Sequence, residues 1–418
     1  MAEYSEYKDS DQQWLGMVPS HWRVDSMKHC FNVISIKGRP DLPQLCSTQK
    51  YGVIPQSLYE NRVVSALKGL DTLKVVSVGD FVISLRSFQG GIEYAYYDGI
   101  ISPAYTILRP RESDNSGYYR YLLKSQMFIT LLQSMVTGIR EGQNIDYDKL
   151  KYEYIPIPPI KEQEAIVAYL DKVTADIDKA IAVKERIIAS LEECRKIIIT
   201  HAVTHGINPG APMKDSGIDW LGEIPAHWEV IRIKYLLNEK KVRSKTGAEE
   251  PLSMSQRKGL IPTKMMGVIP NLAASYVDAK LVSKGDLVFN KLKAHLGVFN
   301  VSEYDGLVSP DYAVYNTSGK ADLKFLEYIF KTPNCINEFK KLITGVGAGL
   351  SRLYTNDLYS IYCAIPPIDE QLSIRNHIVN KTKAISEAID QCQAIIDLLR
   401  ERKNIIINET VTGKVKVI

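Results

Sequence analysis

Residues 158–206 read PPIKEQEAIVAYLDKVTADIDKAIAVKERIIASLEECRKIIITHAVTHG, and residues 366–413 read PPIDEQLSIRNHIVNKTKAISEAIDQCQAIIDLLRERKNIIINETVTG. Each stretch opens on two prolines, which lack a backbone N–H and disfavour helix in the residue before them. Each closes on a glycine, the residue that most readily follows a helix end. The pair therefore predicts two long helices, each about 65 Å at 1.5 Å per residue.

Apolar residues recur in both stretches at alternating steps of four and three, which is typical of a coiled coil. We expect an antiparallel pair in which Lys184 faces Ala388 and Leu170 faces Arg402, so that long basic residues fix the register. The alternative is that these basic residues lie at exposed edges. The predicted inward positions are Ile166, Leu170, Val173, Ile177, Ala180, Lys184, Ile187, Leu191, Cys194 and Ile198 in the first helix, and Ile374, Ile378, Lys381, Ile385, Ala388, Cys392, Ile395, Leu399, Arg402 and Ile406 in the second.

The bulk composition is that of a globular protein with more than one domain. The 418 residues exceed what one core usually holds, and 45% are hydrophobic and 24% charged. A formal charge of +4 permits nucleic-acid binding without requiring it. Six cysteines form neither a CxxC pair nor a zinc-ligand spacing with histidine. The sequence shows no signal peptide and no long apolar run, so we expect a cytoplasmic protein without a membrane partner.

The chain also repeats itself at an offset of 206 to 208 residues. Residues 7–31, YKDSDQQWLGMVPSHWRVDSMKHCF, return as MKDSGIDWLGEIPAHWEVIRIKYLL at 213–237. VSVGDFVISL at 76–85 likewise matches VSKGDLVFNK at 282–291. This period is far longer than that of a solenoid and indicates two copies of one architecture. All four tryptophans lie in residues 7–31 and in their copy at 213–237. We interpret them as anchors, with a binding surface as the alternative.

Each half reads as a mixed α/β domain followed by a long helix. Short β-branched runs predict strands at 80–85, 104–108, 286–290 and 312–315, and helices are predicted at 116–135 and 323–342. Residues 205–216 are rich in glycine and proline, which predicts a linker between the two halves. The resulting boundaries are a first domain at 1–157, a first helix at 158–205, a linker at 206–216, a second domain at 217–365, a second helix at 366–413 and a tail at 414–418.

A search for catalytic motifs favours a non-catalytic binding protein. Gly345, Gly347 and Gly349 form GxGxG, but they follow a predicted helix, whereas a dinucleotide loop follows a strand. The histidines form no HExxH motif. His201 and His205 stand four apart at a helix C-terminus, where they compensate the helix dipole more readily than they bind a metal.

The paired W-L-G-x-x-P-x-H-W segments, the paired P-P-I-x-E-Q motifs and the two variable segments 84–99 and 290–306 together carry a family resemblance. Over essentially its whole length the chain resembles the specificity subunit of a type I restriction–modification system. The resemblance implies two pseudo-symmetric α/β (α+β) target recognition domains separated by a long antiparallel two-helix coiled coil. Each domain would read one part of a bipartite, asymmetric site in double-stranded DNA.

The resemblance also implies that this chain has no enzymatic activity of its own. Two methyltransferase (modification) subunits would carry S-adenosylmethionine, and restriction subunits would use ATP and Mg. This chain itself would then hold no cofactor and no metal. A different reading of the same pattern is a structural adaptor that holds two protein partners apart on a coiled coil.

Candidate base-reading residues lie in the loops where the two halves differ. Arginine and lysine suit guanine O6 and N7, and asparagine and glutamine suit adenine N6 and N7. The alternative for each is a phosphate contact, the commoner role of lysine and arginine. The candidates are Arg86, Ser87, Gln89, Arg140, Gln143 and Asn144 in the first half, and Lys291, Lys293, His295, Arg352 and Tyr354 in the second.

Overall fold

The computed structural model describes residues 3–60, 68–111, 116–137, 144–255, 258–266, 275–343 and 352–417. The chain forms two compact units. The first unit consists of Met1–Glu185 and Gln393–Ile418, and the second consists of Arg186–Cys392. Each unit thus combines one globular domain, the beginning of the long helix that follows it and the end of the other long helix.

The first half of the chain forms a mixed domain and one long helix. In chain order its elements are β1 (Tyr7–Asp9), β2 (Met17–Pro19), β3 (Arg23–Ser26), α1 (Met27–Cys30), β4 (Phe31–Ile34), β5 (Leu45–Thr48), β6 (Gly52–Pro55), β7 (Lys74–Val76), β8 (Phe81–Ile83), α2 (Ser87–Gly90), β9 (Glu93–Tyr94), β10 (Gly99–Ile101), β11 (Thr106–Pro110), α3 (Ser116–Leu122), α4 (Gln126–Ser134), β12 (Val136–Thr137), β13 (Asn144–Ile145), α5 (Tyr147–Leu150), β14 (Tyr154–Ile157) and α6 (Ile160–His205).

The second half repeats this arrangement. Its elements are β15 (Met213–Asp215), β16 (Glu223–Pro225), β17 (Glu229–Arg232), β18 (Leu237–Lys240), β19 (Leu252–Ser255), β20 (Gly259–Pro262), β21 (Lys280–Val282), β22 (Leu287–Asn290), β23 (Phe299–Val301), β24 (Gly306–Val308), β25 (Tyr312–Thr317), α7 (Leu323–Phe330), α8 (Pro333–Leu342), α9 (Thr355–Ser360), β26 (Tyr362–Ile365) and α10 (Ile368–Val411).

The two units share one sheet topology. The central sheet of the first is antiparallel in the order β4-β11-β8-β9, and that of the second runs β18-β25-β22-β23. In both, the strand before the long helix pairs with the strand after the Pro-x-His-Trp segment, as β14 with β3 and β26 with β17. The core lies between sheet and helices, with Phe81 and Phe128 fully buried in one unit and Phe289 and Phe339 in the other. The internal repeat is therefore a repeat of structure.

The single helices predicted at 116–135 and 323–342 are wrong, because each is divided in two. In the first unit the chain breaks at Ser125, whose side chain accepts a hydrogen bond from the N–H of Phe128 and so begins α4. In the second unit, the Thr332 side chain accepts a hydrogen bond from the N–H of Cys335 and so begins α8. Pro333 occupies the first turn of that helix. Proline is tolerated there because the first helical N–H groups have no intrahelical partner.

The long helices begin and end where the proline and glycine signals place them. α6 begins directly after Pro159 and α10 directly after Pro367. Gly206 and Gly413 follow the helix ends with φ of 75° and 74°, a backbone conformation that other residues adopt only with strain. Strand β15 lies within the residues predicted as a linker.

Of the twenty predicted inward positions, fourteen are buried or half-buried and six are exposed. Ile166, Leu170, Ile177, Ile374 and Ile378 are buried. Ile187 and Ile395 are 39% and 38% exposed, and Lys381 and Arg402 are exposed, so their prediction as core residues is wrong. Cys194, also predicted inward, is exposed as well. Predicted positions that are buried or half-buried include Val173, Lys184, Leu191, Ile385, Ala388, Cys392, Leu399 and Ile406. Seven further residues, each one position after a predicted one, are also buried or half-buried: Ile181, Ile188, Arg195, Thr382, Ile389, Ile396 and Lys403.

The predicted register is also wrong. In the first unit the two helix segments run antiparallel, and Lys403 Nζ lies 2.7 Å from Asp178 Oδ2. Arg400 Nη2 lies 3.3 Å from Glu185 Oε1. Arg402 is therefore level with about residues 179–183, roughly nine to thirteen residues beyond the predicted partner Leu170. Glu185 likewise meets a residue twelve positions beyond Ala388. The predicted pairing of Lys184 with Ala388 fails for the same reason.

Candidate nucleic-acid interface

The repeated Pro-x-His-Trp and Pro-Pro-x-x-Glu-Gln motifs meet at the start of each long helix. In the first unit Glu162 Oε2 accepts hydrogen bonds from Trp22 Nε1 (2.9 Å) and Tyr4 Oη (3.0 Å). His21 Nε2 lies 2.6 Å from Glu162 Oε1. Gln163 Nε2 donates to the carbonyl of Pro158 at 2.7 Å. Trp22 is fully buried, so this motif holds the domain to its helix, as the anchoring interpretation requires.

Electrostatics support the same role. Burial alone would raise the pKa of Glu162, but hydrogen bonds from Trp22, His21 and Tyr4 outweigh it and hold the pKa below its usual range. The second unit repeats the arrangement, with Glu370 2.7 Å from His227 Nε2 and 3.2 Å from Trp228 Nε1. The motifs that identify the repeat thus have a structural role in both units.

A cleft of about 1080 Å³ opens on the first unit between the β5–β6 turn and the segment that carries α2. Two predicted base-reading residues, Arg86 and Gln89, line it side by side. Strand β13, which begins at Asn144, packs beside α2. Arg140 and Gln143 lie outside the described residues, and so does the side chain of Asn144.

The structure removes Ser87 from the candidate set. Its side chain is buried, and its Oγ accepts a hydrogen bond from the N–H of Ser84 at 2.8 Å. The hydroxyl closes the turn before α2, and it presents no group to the cleft.

Sequence reasoning missed a second wall of this cleft. Gln49, Lys50 and Tyr51 line it from the β5–β6 turn, and Tyr96 and Tyr97 line it from the loop after β9. Tyr51, Tyr96 and Tyr97 are 48%, 44% and 42% exposed. Exposed aromatic rings beside cations and amides are a typical composition for contacts with nucleic acids. The signals were the tyrosine-rich run YAYYDG and a turn closed by Gly52, which has positive φ.

A buried ion pair lies beneath the cleft. Glu93 lines it but is only 3% exposed, and its two carboxylate oxygens lie 2.7 and 2.9 Å from Lys124 Nζ. Burial raises the pKa of Glu93 to about 7, against the opposing effect of Lys124. Lys124 Nζ also donates to the carbonyl of Gln49 at 2.9 Å. One ammonium group therefore connects the sheet, the helical layer and the turn.

In the second unit the structure brings together two of the predicted segments. The N–H of Leu353 donates to the carbonyl of Lys291 at 3.1 Å, which places Arg352 and Tyr354 beside Lys291. Arg352 Nη2 lies 3.2 Å from Asp311 Oδ1, while Tyr354 is 47% exposed. Lys293 is exposed, His295 is half-buried, and Lys291 Nζ lies 3.9 Å from Glu239. These side chains thus offer a basic and aromatic surface.

The buried carboxylate of the second unit sits on a helix instead of a strand. Asn300 occupies the position that corresponds to Glu93, and Glu327 occupies that of Arg120. Glu327 accepts from Lys331 Nζ (2.6 Å), Lys324 Nζ (2.9 Å), Asn300 Nδ2 (3.0 Å) and the N–H of Val301 (2.9 Å). Burial alone would raise its pKa, but the two lysines outweigh burial and lower it. The two units therefore stabilise the same layer with different charge arrangements.

Within the described residues, no group of acidic, histidine and cysteine side chains is arranged to hold a metal ion. The described helices also include none long and apolar enough to cross a membrane.

Comparisons with known proteins agree with this architecture. Residues 19–193 match the family model of the type I restriction modification DNA specificity domain. A Methanocaldococcus jannaschii protein described as the MjaX specificity subunit of a type I restriction enzyme is 24% identical over 431 residues, with 96% of each chain covered. The Escherichia coli EcoKI specificity subunit is 23% identical over 284 residues, which cover 64% of this chain and 59% of that protein.

A solved structure shares the fold. Its subject is the complex assembly and conformational transition of the type I R-M system, and it superposes with a TM-score of 0.64 at 14% identity, covering 95% of this chain and 99% of that one. The chain is thus similar in sequence to type I restriction enzyme specificity subunits, and its two domains and two long helices share the fold of this solved structure.

Proposed function

We propose that this subunit recognises a bipartite, asymmetric site in double-stranded DNA and has no catalytic activity of its own. The observation that carries the proposal is one topology, found in both units, that presents different side chains at the same place. Arg86 and Gln89 of the first unit correspond to Lys293 and Leu296 of the second. Two surfaces of different chemistry on one scaffold would read two different sequences.

The chemistry of the first cleft suits a DNA ligand. Arg86 and Lys50 supply positive charge for phosphate, and Gln49 and Gln89 supply amides that can pair with adenine. Phosphate contacts would set the position of the duplex, and the amides would read base edges.

Binding to DNA is tested by its dependence on salt. The full-length subunit, assembled with its methyltransferase subunits, is titrated with a duplex library between 50 and 200 mM salt. Release of counterions predicts an affinity loss on the order of a hundredfold. Sequencing of the bound duplexes should show two specified parts separated by an unspecified gap. Binding that ignores salt, or selection without a motif, would instead support the adaptor hypothesis.

Spacing between the two parts is a second expected outcome. Four residues inserted after Ala182 add about 6 Å to a helix, close to two base pairs at 3.4 Å each. The unspecified gap should lengthen while both specified parts stay as they are. The matched control replaces four exposed residues of the same helix without changing its length. A variant whose gap is unchanged would contradict the role of the helices as spacers.

We further propose that the helices recruit the methyltransferase subunits, which would carry S-adenosylmethionine. In the first unit Leu398 and Ile405 are 65% and 47% exposed, and in the second Ile197 and Val379 are 60% and 51% exposed. Apolar side chains exposed in series along a helix are typical of a surface for another protein. ATP, Mg and the restriction subunits would join through the assembled complex.

A further inference from the structure

Gln49 stands at the β5–β6 turn and faces the cleft of the first unit. The residue is exposed; its backbone carbonyl is bound from outside the turn, and its side chain lies close to Gly90. Its carbonyl accepts a hydrogen bond from Lys124 Nζ at 2.9 Å. This contact crosses 75 residues of sequence and fixes the turn to the helical layer.

Lys124 is itself held by a buried partner. Glu93 places both carboxylate oxygens within 2.9 Å of Lys124 Nζ. A cation bound in this way keeps one direction for its remaining donor, because leaving would strand a buried carboxylate. The Gln49 carbonyl therefore has a fixed position relative to the sheet.

The absence of a side chain at Gly90 leaves the space that the Gln49 side chain occupies. A Cβ atom at residue 90 would lie 2.9 Å from Gln49 Cγ, 3.0 Å from Cδ and 3.3 Å from Nε2. The stem of the glutamine thus lies flat against the end of α2, in space that only glycine leaves open. Gln89 directly precedes Gly90 in the sequence, and the cleft is lined by both Gln49 and Gln89.

We propose that Gln49 is a specificity-determining residue for the first half-site, where its amide reads an adenine. This inference rests on the proposed function. An amide whose backbone is bound and whose stem lies against Gly90 can donate to adenine N7 and accept from adenine N6 together, which a freely mobile side chain would do less selectively. Lys124, Glu93 and Gly90 are positioning residues that act through Gln49.

The second unit supplies an internal control. The repeat places Gln256 at the position of Gln49, outside the described residues. Asn300 replaces Glu93 there, and Lys331, which corresponds to Lys124, bonds to Glu327. Substitutions around Gln49 should therefore change the first half-site and leave the second unchanged.

The experiment compares Gln49→Ala and Gly90→Ala with the matched control Gln133→Ala, an exposed glutamine of α4 outside the cleft. Each full-length variant, in complex with its methyltransferase subunits, selects from the same duplex library. Gln49→Ala should reduce discrimination at one position of the first half-site by about tenfold or more. Gly90→Ala should relax the same position, because the new methyl group displaces the Gln49 side chain. The control should select the wild-type motif.

Positioning is tested by Lys124→Met and Lys124→Arg. The methionine variant should relax the position that Gln49→Ala relaxes, and the arginine variant, which keeps a donor, should restore it. Thermal unfolding of each variant confirms that the first unit is folded.

A wild-type motif that Gln49→Ala leaves unchanged, or a change in the second half-site, would overturn this inference alone. A uniform loss of affinity across all sequences would also overturn it, because that is the signature of a phosphate contact. Wild-type protein that selects no bipartite motif would overturn the proposed function and this inference together.

Discussion

Glu327→Ala is expected to destabilise the second unit by about 2–3 kcal/mol, because it removes a buried acceptor of four hydrogen bonds. The carboxylate is 2% exposed and accepts from two lysines, one asparagine and one backbone N–H. Alanine leaves the N–H of Val301 and Nδ2 of Asn300 without this acceptor, whereas the side chains of Lys324 and Lys331, 33% and 34% exposed, can turn to water. The loss should therefore exceed that of most single substitutions.

The measurement is urea unfolding of the full chain with hydrogen exchange read by mass spectrometry, which separates Arg186–Cys392 from the rest. The matched control is Glu303→Ala, an exposed carboxylate of the same unit, which should stay within about 0.5 kcal/mol of wild type. Glu327→Gln should fall between the two, because it keeps an acceptor without the charge. A Glu327→Ala variant as stable as the control would contradict the stabilising role of the Glu327 carboxylate.

Glu162→Ala is expected to destabilise the first unit by about 2–3 kcal/mol, since Trp22 Nε1 and the Tyr4 hydroxyl lose their acceptor. The wild-type carboxyl has a pKa below its unfolded value. Its stabilising contribution is therefore complete above about pH 4.3 and is lost as pH falls through the folded pKa. The alanine variant should lack this part of the acid dependence.

Glu370→Ala is the matched variant in the second unit. Glu370 meets only His227 and Trp228 among the described residues, without a counterpart of Tyr4. Its loss should therefore be smaller, and hydrogen exchange should place it in the other unit. A Glu370→Ala effect larger than that of Glu162→Ala would contradict this account of the anchor.

Local signals explain why the helix ends could be predicted from the sequence and the packing of the helices could not. Proline and glycine act on the backbone at their own position, so they place the ends of α6 and α10 to within a few residues. The inward face depends on a choice between adjacent apolar residues. Ile187 and Ile188, or Ile395 and Ile396, fit a four-three pattern equally well. Only the opposite helix decides which of the two is buried, and it buries the later one.

The candidate site shows the same limit in another form. Comparison of the halves found Arg86 and Gln89, because these positions differ between Leu85–Gly90 and its counterpart. Such a comparison is blind to a residue that both halves share, as Gln49 and Gln256 are. The comparison also could not show that the Ser87 hydroxyl accepts a hydrogen bond within a turn, because serine hydroxyls bind both turn backbone and ligands.

The first unit combines Met1–Glu185 with Gln393–Ile418. This affects the order in which the two units can fold during synthesis. The Tyr118 hydroxyl donates to the carbonyl of Val411 at 2.8 Å, and Gly413 lies against Pro19 and Trp22 without room for a side chain. These contacts cannot form until residues 411–413 have left the ribosome. The second unit is one continuous segment, Arg186–Cys392, and has all its residues earlier. During synthesis the second unit can thus be completed first, while the first unit still lacks the residues after Cys392.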